Sequence, residues 1–133
     1  MKKLFTSGLL IALTCCYTMI IAHPRVNSMF QAPTMNVDGT ASSIVSKLDK
    51  SLILTDTQKP KLLGIVTGYL KQKIAIQPLQ QSNLKAYTTK MNSMQNGLQA
   101  KLKPLLTLTQ YTEYLGLKPK SFDETNVLSH LYY

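Results

Sequence analysis

The sequence is poor in the side chains that carry catalysis and metal binding. Its 133 residues include two Cys, two His, six acidic residues and no Trp. Both Cys, Cys15 and Cys16, lie in the apolar N-terminal stretch, so the chain beyond residue 22 has no disulfide, thiol nucleophile or cysteine-based metal site. There is no Gly-rich phosphate loop and no Ser-His-Asp pattern. We therefore expect no enzymatic activity and no cofactor.

The few remaining candidates for chemistry are dispersed. His23 and His130 are far apart in the sequence, and the one adjacent acidic pair is Asp123-Glu124. An N-terminal His23 can chelate copper with its own amine, and His130 could complete such a site, but Pro24 follows at once and a rich His cluster is absent. The acidic pair lies in the C-terminal tail, where burial offers no means of tuning a general acid. We expect no catalytic or metal-binding residues.

Residues 1–22 have the parts of a secretory signal peptide. Lys2 and Lys3 precede an apolar stretch that ends at the small residue Ala22. Cleavage there would start the mature chain at His23 and place it in the periplasm. Two alternatives stay open: an uncleaved membrane anchor, because the stretch is nearly long enough to span a bilayer, and lipidation of one of the two Cys.

Charge suggests an anionic partner. The chain carries 15 Lys and Arg against six Asp and Glu, a net charge of +9, which falls to +7 once Lys2 and Lys3 leave with the leader. A solvated lysine face and an attraction to acidic proteins or anionic lipid headgroups both fit this composition. Nucleic acid is not expected, because the lysines are dispersed without interleaved aromatic residues.

The rest of the chain shows helical periodicity and no sustained alternation. Residues 23–39 are expected to form a flexible arm, residues 40–118 a helical domain and residues 119–133 a loose tail. Apolar residues recur every three or four positions in the domain, whereas Lys61, Lys71 and Lys73 are expected to project away from the apolar stripe. The fold class is therefore all-α, a small hairpin or bundle of about four helices. Their expected bounds are Thr40 to before Leu54, Leu62 to near Pro78, Ser82 to Pro104, and Thr107 to Gly116.

A pentapeptide occurs twice in the helical domain. Leu-Thr-Asp-Thr-Gln at residues 54–58 returns as Leu-Thr-Leu-Thr-Gln at residues 106–110. A Thr at an N-cap and a Gln three residues later form a capping box that begins a helix, and the preceding Leu can pack on its first turn. With Thr55 as the cap, Pro60 would fall at the fifth helical position and lose one helical bond, so the first copy is expected to start either later, with Thr57 as the cap, or in a tight turn. The predicted capping residues are Leu54, Thr55, Gln58, Leu106, Thr107 and Gln110.

These paired Leu-Thr-x-x-Gln motifs, in a small, basic and helical chain with an export signal, resemble the Spy/CpxP family of periplasmic stress proteins. The likeness covers residues 40–118 in pattern and the two pentapeptides in sequence. It implies a helical hairpin that forms a homodimeric cradle, holds partly unfolded envelope proteins without ATP, or binds the periplasmic domain of a sensor kinase.

Two interpretations of the apolar surface remain open. Tyr69, Tyr87, Met91 and Met94 fit either a packed core or a pliable surface that contacts clients. The leading hypothesis is an ATP-independent chaperone or envelope-stress adaptor. Its rival is a structural or membrane-anchored envelope protein without chaperone activity.

Overall fold

Six helices and no strand make up the part of the chain that the structure describes. The structure is a computed structural model, described here for residues 35–133. The predicted leader and most of the predicted arm lie outside these residues. The all-α prediction is confirmed. The helices are α1 (Val37–Leu52), α2 (Gln58–Ile76), α3 (Leu79–Ser82), α4 (Leu84–Leu105), α5 (Leu108–Gly116) and α6 (Ser129–Tyr132).

Asparagine side chains begin two of the long helices. The Oδ1 atom of Asn36 accepts a hydrogen bond from the Gly39 N–H at 3.0 Å, so α1 starts three residues before the expected Thr40. Asn83 caps α4 in the same way, accepting from the Ala86 N–H at 3.0 Å. Both contacts satisfy N–H groups that a helix start leaves without a backbone partner.

The long helices form two hairpins joined side by side. A short connection links α1 to α2, and Leu106 and Thr107 alone link α4 to α5. The central helix α2 packs against α1 and also against α4, while α5 packs against α1. Both hairpin turns therefore lie at the same end of the bundle.

The core is built from apolar residues spaced three or four positions apart. This spacing puts them on one face of each helix, and burial of each large side chain contributes about 1.5–3 kcal/mol. The buried members on the long helices are Ala41, Ile44, Leu48, Leu52, Leu62, Val66, Tyr69, Leu70, Leu98, Leu102 and Tyr114.

The apolar seam of α4 is covered along only part of its length. Leu98 and Leu102 are buried near its C-terminal end, but Leu84 at its start is 64% exposed. Tyr87 and Met91 between them are half-buried. The apolar periodicity of α4 thus correctly predicts a packing face. It does not show how much of that face the neighbouring helix α2 covers.

The C-terminal tail corrects the expectation of a loose segment. Leu128 and Leu131 are buried in the core, and Ser129 is fully buried with its hydroxyl accepting a hydrogen bond from the Asp123 N–H at 3.1 Å. Gln95 on α4 donates to the carbonyl of Leu131 at 2.7 Å. The tail is held by a few buried side chains and by hydrogen bonds to its backbone. These contacts produce no regular apolar spacing, so the sequence did not predict that the tail packs on the helices.

The Leu131→Ala variant tests this docking. Removing a fully buried Leu side chain leaves a cavity, so the free energy of unfolding should fall by about 2–5 kcal/mol in chemical denaturation. The matched control is Leu84→Ala, the same change at an exposed helical position, which should alter stability by less than about 0.5 kcal/mol. Equal effects of the two substitutions would contradict a packed tail.

Candidate functional site

The two repeated motifs form local capping boxes. At the start of α5, the Thr107 N–H donates to Gln110 Oε1 at 3.0 Å, and the Gln110 N–H donates to Thr107 Oγ1 at 3.2 Å. In the first copy, the Thr55 N–H donates to Gln58 Oε1 at 2.9 Å and the Gln58 N–H donates to Thr55 Oγ1 at 3.3 Å. Each pair satisfies two N–H groups at a helix start.

Pro60 affects how the helix after the first motif begins. The regular helix α2 begins at Gln58, and Thr57 before it makes no side-chain capping bond to a backbone N–H. The box therefore spans the turn that precedes α2, with Thr55 Oγ1 and Thr57 Oγ1 3.1 Å apart. Because Pro60 is then the third helical residue, its missing N–H costs no intrahelical bond.

The same two glutamines also bond to each other across the hairpins. Gln58 Nε2 donates to Gln110 Oε1 at 2.9 Å, and Gln110 Nε2 donates to Gln58 Oε1 at 3.2 Å. Gln58 Nε2 also reaches the Leu105 carbonyl at 2.9 Å, while Gln110 Nε2 reaches the carbonyls of Leu52 and Ile53 at 3.2 and 3.3 Å. We call Thr55, Gln58, Thr107 and Gln110 the motif clasp.

The clasp has an approximate twofold relation. Each glutamine lies in the first turn of its own helix and donates to main-chain carbonyls at the end of the helix that precedes the other motif. Each Oε1 faces an N–H of its own Thr, and each Nε2 faces carbonyl oxygens, so both amide orientations are fixed by their partners. The first leucines of the two motifs are also equivalent in burial, because Leu54 is 5% exposed and Leu106 is 6% exposed. The sequence shows the repeat, but not that its copies meet.

A strained and exposed residue lies beside the clasp. Ile53 has φ 52° and ψ 66°, in the left-handed region that β-branched residues avoid, and its side chain is 84% exposed. The Ile53 N–H donates to the Asp49 carbonyl at 2.9 Å, and the Leu54 N–H donates to Asp49 Oδ1 at 3.1 Å. Glycine or asparagine is the usual residue at such a helix end. No sequence pattern marks this position.

A cleft of about 570 Å³ lies at the other end of α2 and α4. We call it the tail cleft, because residues of the C-terminal tail form one wall. Its apolar and aromatic lining consists of Met35, Ile74, Tyr87, Phe122 and Tyr133. Its polar lining consists of Lys73, Gln77, Gln80, Glu124 and His130. A lining that combines apolar and aromatic side chains with polar groups is compatible with a binding site for an organic ligand or peptide.

Lys73 corrects the expectation that it projects away from the apolar stripe. It is half-buried in the lining of the cleft, and burial lowers the pKa of its ammonium group. Its Nζ atom donates to the carbonyl of His130 at 3.1 Å and to a main-chain oxygen of Tyr133, the last residue of the chain. Leu70 lies four residues after Val66, and Lys73 lies three residues after Leu70. Lys73 therefore continues the apolar stripe of α2, and this spacing in the sequence was the sign that its side chain would be partly buried.

His130 packs its ring against Phe122 in an edge-on arrangement with centroids 5.7 Å apart. Burial and the nearby charge of Lys73 lower the pKa of its imidazole from the usual 6.5, and the carboxylate of Glu124 acts in the opposite direction. The imidazole therefore holds its proton less firmly in the folded protein than in the unfolded chain.

The four side chains proposed to contact clients do not share one surface. Tyr87 lines the tail cleft, while Tyr69 and Met94 both line a smaller cavity of about 130 Å³. Met91 is half-buried. Tyr69 is only 4% exposed and its hydroxyl accepts a hydrogen bond from Gln95 at 2.6 Å, so most of its side chain is packed in the core.

No protein-family model, curated protein or solved structure matches the chain. The resemblance to the Spy/CpxP family thus rests on the paired motifs and stays a prediction. Among residues 35–133, no group of three or more His, Cys, Asp or Glu side chains is placed to hold a metal ion. In the same part of the chain, no helix has the length and apolar character needed to cross a bilayer.

Substitution of Gln58 tests the two donations by its amide nitrogen. Gln58→Glu keeps an oxygen acceptor for the Thr55 N–H, but its second carboxylate oxygen would face the Leu105 carbonyl and Gln110 Oε1, whereas Gln58→Ala loses the cap and both donations without this repulsion. We expect the free energy of unfolding to fall by about 2–3 kcal/mol for the Ala variant and by at least as much for the Glu variant. Urea denaturation measures both values.

A double-mutant cycle isolates the contact between the glutamines. Combining Gln58→Ala with Gln110→Ala should cost less than the sum of the single changes, by about 1 kcal/mol, because the pair is lost with either partner. Gln99→Ala, at an exposed position of α4, is the control and should have little effect. Additive effects of the two clasp substitutions would show that the reciprocal amide pair does not form.

His130 predicts a loss of stability on acidification. Because its pKa is lowered in the folded state, the unfolded chain takes up the proton first, and stability should fall as the pH drops below about 6.5. In thermal denaturation, Tm should decrease between about pH 8 and about pH 5.5, and His130→Gln should reduce this decrease. An unchanged pH dependence in the variant would contradict the assignment to His130.

Proposed function

We propose that this protein binds other proteins, as an ATP-independent periplasmic chaperone or envelope-stress adaptor of the Spy/CpxP type, and that it is not an enzyme. The observation that carries the proposal is the exposure of large apolar side chains beside the motif clasp. Ile53 and Leu108 are 84% and 83% exposed. Exposed apolar surface formed by neighbouring large side chains is typical of sites that bind partners, and both of these side chains adjoin the motif clasp.

The fold does not need these two side chains where they are. Leu108 occupies the first position of α5, and the matching position of the other motif is the polar Asp56. Ile53 adopts a conformation that costs a β-branched residue about 1–2 kcal/mol relative to glycine, and gains almost no burial in return. Retention of a strained, exposed apolar residue supports a role outside folding.

The charge distribution supports acidic or weakly charged partners. Residues 35–133 contain twelve lysines and six acidic residues, a net charge of +6. In this part of the chain, the ion pairs are those of Lys59 with Asp49 at 3.0 Å and with Asp56 at 3.6 Å. Most of the lysine charge is therefore not neutralised by ion pairs within the described domain, and it would accelerate encounters with acidic clients.

An aggregation assay tests the proposal. The purified protein, added without ATP in several-fold excess to a chemically denatured client on dilution, should suppress light scattering. Absence of suppression would contradict the chaperone function and favour a structural envelope protein. A single dominant partner in a pull-down from envelope extract would instead support a dedicated adaptor.

Surface variants locate the activity. Ile53→Asn combined with Leu108→Gln should at least halve the suppression while leaving stability equal or higher, because Asn tolerates the left-handed conformation. The matched control is Leu84→Gln, an exposed leucine at the opposite end of α4, about 30 Å away by helix length. If the control loses as much activity as the double variant, the clasp end is not the binding surface.

A further inference from the structure

The hairpin formed by α2, α3 and α4 carries lysines and no acidic side chain. Residues 58–105 contain eight Lys and neither Asp nor Glu, whereas the other described residues, 35–57 and 106–133, contain four Lys and six acidic residues. The positive charge of the described domain is thus concentrated on one hairpin. In this part of the chain, the ion pairs of the hairpin involve Lys59 alone. Six lysines of the hairpin are exposed: Lys61, Lys71, Lys85, Lys90, Lys101 and Lys103.

Apolar side chains are exposed at the end of this hairpin that lies opposite the clasp. Leu84 at the start of α4 is 64% exposed, and Tyr87, one turn later on the same side of the helix, is half-buried. Phe122 is 48% exposed and lines the tail cleft together with Tyr87. We call Leu84, Tyr87 and Phe122 the apolar tip. Leucine and aromatic side chains beside lysines are typical of surfaces that lie in the interface of a lipid bilayer.

Lysines lie on both sides of the apolar tip. Because an α-helix turns by about 100° per residue, Lys85 and Lys90 point about 100° and 120° to either side of Leu84. Lys71 lies in the last two turns of α2, at the same end of the hairpin. We call these three lysines the tip lysines. Their long aliphatic stems allow the ammonium groups to reach lipid phosphates while the leucine enters the acyl boundary. Glu124 lines the neighbouring cleft, and its carboxylate opposes part of this attraction.

We propose that the hairpin binds the surface of an anionic lipid bilayer, with the apolar tip at the level of the headgroups and the tip lysines beside lipid phosphates. A bilayer fits better than an acidic protein, because it offers an apolar layer to Leu84 and a fluid layer of phosphates to dispersed lysines. This second binding activity goes beyond the proposed binding of clients and does not depend on it. The side chains assigned to clients, Ile53 and Leu108, lie at the clasp end.

Vesicle titration of the full protein tests the role of charge. The readout is the ratio of its affinities for vesicles with about one third phosphatidylglycerol and for vesicles of phosphatidylcholine alone, in about 0.1 M salt. An apolar contribution from residues 1–22 enters both affinities and cancels in this ratio. Lys85→Gln combined with Lys90→Gln should lower the ratio about 25-fold, since each lysine near an anionic surface contributes about fivefold. Lys47→Gln combined with Lys50→Gln removes the same charge from α1 and should lower the ratio by no more than about twofold.

Leu84→Gln tests the apolar tip. Because the variant loses the transfer of a leucine side chain into the interface, its affinity for anionic vesicles should fall about three- to tenfold. The matched control is Leu108→Gln, the same change at an exposed position of the clasp end, which should leave vesicle binding unaltered. Equal losses in the two leucine variants, or no loss in Leu84→Gln, would contradict insertion of the tip. Thermal denaturation of each variant confirms folding.

Three further results would overturn the proposal. The first is equal affinity of the unchanged protein for the two kinds of vesicle. The second is an equal loss from the lysine substitutions on α1 and on α4, which would show that net charge acts without a preferred face. The third is binding of soluble polyglutamate as tightly as anionic vesicles and without any effect of Leu84→Gln, which would assign the lysines to acidic proteins. Failure of the aggregation assay with intact vesicle binding would reject the proposed client binding alone.

Discussion

The reciprocal hydrogen bond between the Gln58 and Gln110 amides is the contact on which the arrangement of the helices depends. It joins two hairpin turns that are 52 residues apart. Each amide also satisfies carbonyls at the end of a helix from the other hairpin. A partly buried polar network is stabilising when every member has a partner, and this one meets that condition. Helix starts, helix ends and the contact between hairpins are thus set by the same four side chains.

One neutral amide near the middle of α4 performs a similar task. Gln95 donates to the Tyr69 hydroxyl and to the Leu131 carbonyl, so one side chain joins α2, α4 and the C-terminal tail. Contacts between elements therefore depend on amide groups more than on ion pairs, which in the described domain involve Lys59 alone. Side-chain amides thus allow a chain in which only 16% of the residues are charged to join its helices through polar contacts. It also leaves the described lysines other than Lys59 and Lys73 exposed on the surface.

Local patterns predicted the helices well because their causes are local. Apolar spacing, Pro104, Gly116 and the Thr-Gln pairs each act within one or two turns, and the observed helices follow them closely. The clasp, the docked tail and the half-buried Lys73 depend on residues up to 60 positions apart, and periodicity carries no information on such pairs. Tyr69 shows the same limit: its spacing placed it on an apolar face, but only the position of Gln95 and the tail shows that this face is closed.

The side chains that hold the fold together differ from those that are proposed to bind other proteins. This difference bears on how a chain of this size would bind varied partners. The motif residues are engaged in bonds within the fold, so they are not available to clients, and their substitution should act through stability. Ile53 and Leu108 contribute little to the core, so the fold is expected to tolerate changes there. On the proposed function, folding and binding would therefore be controlled by different residues, and substitutions at these two exposed positions would change the affinity for a client without lowering stability.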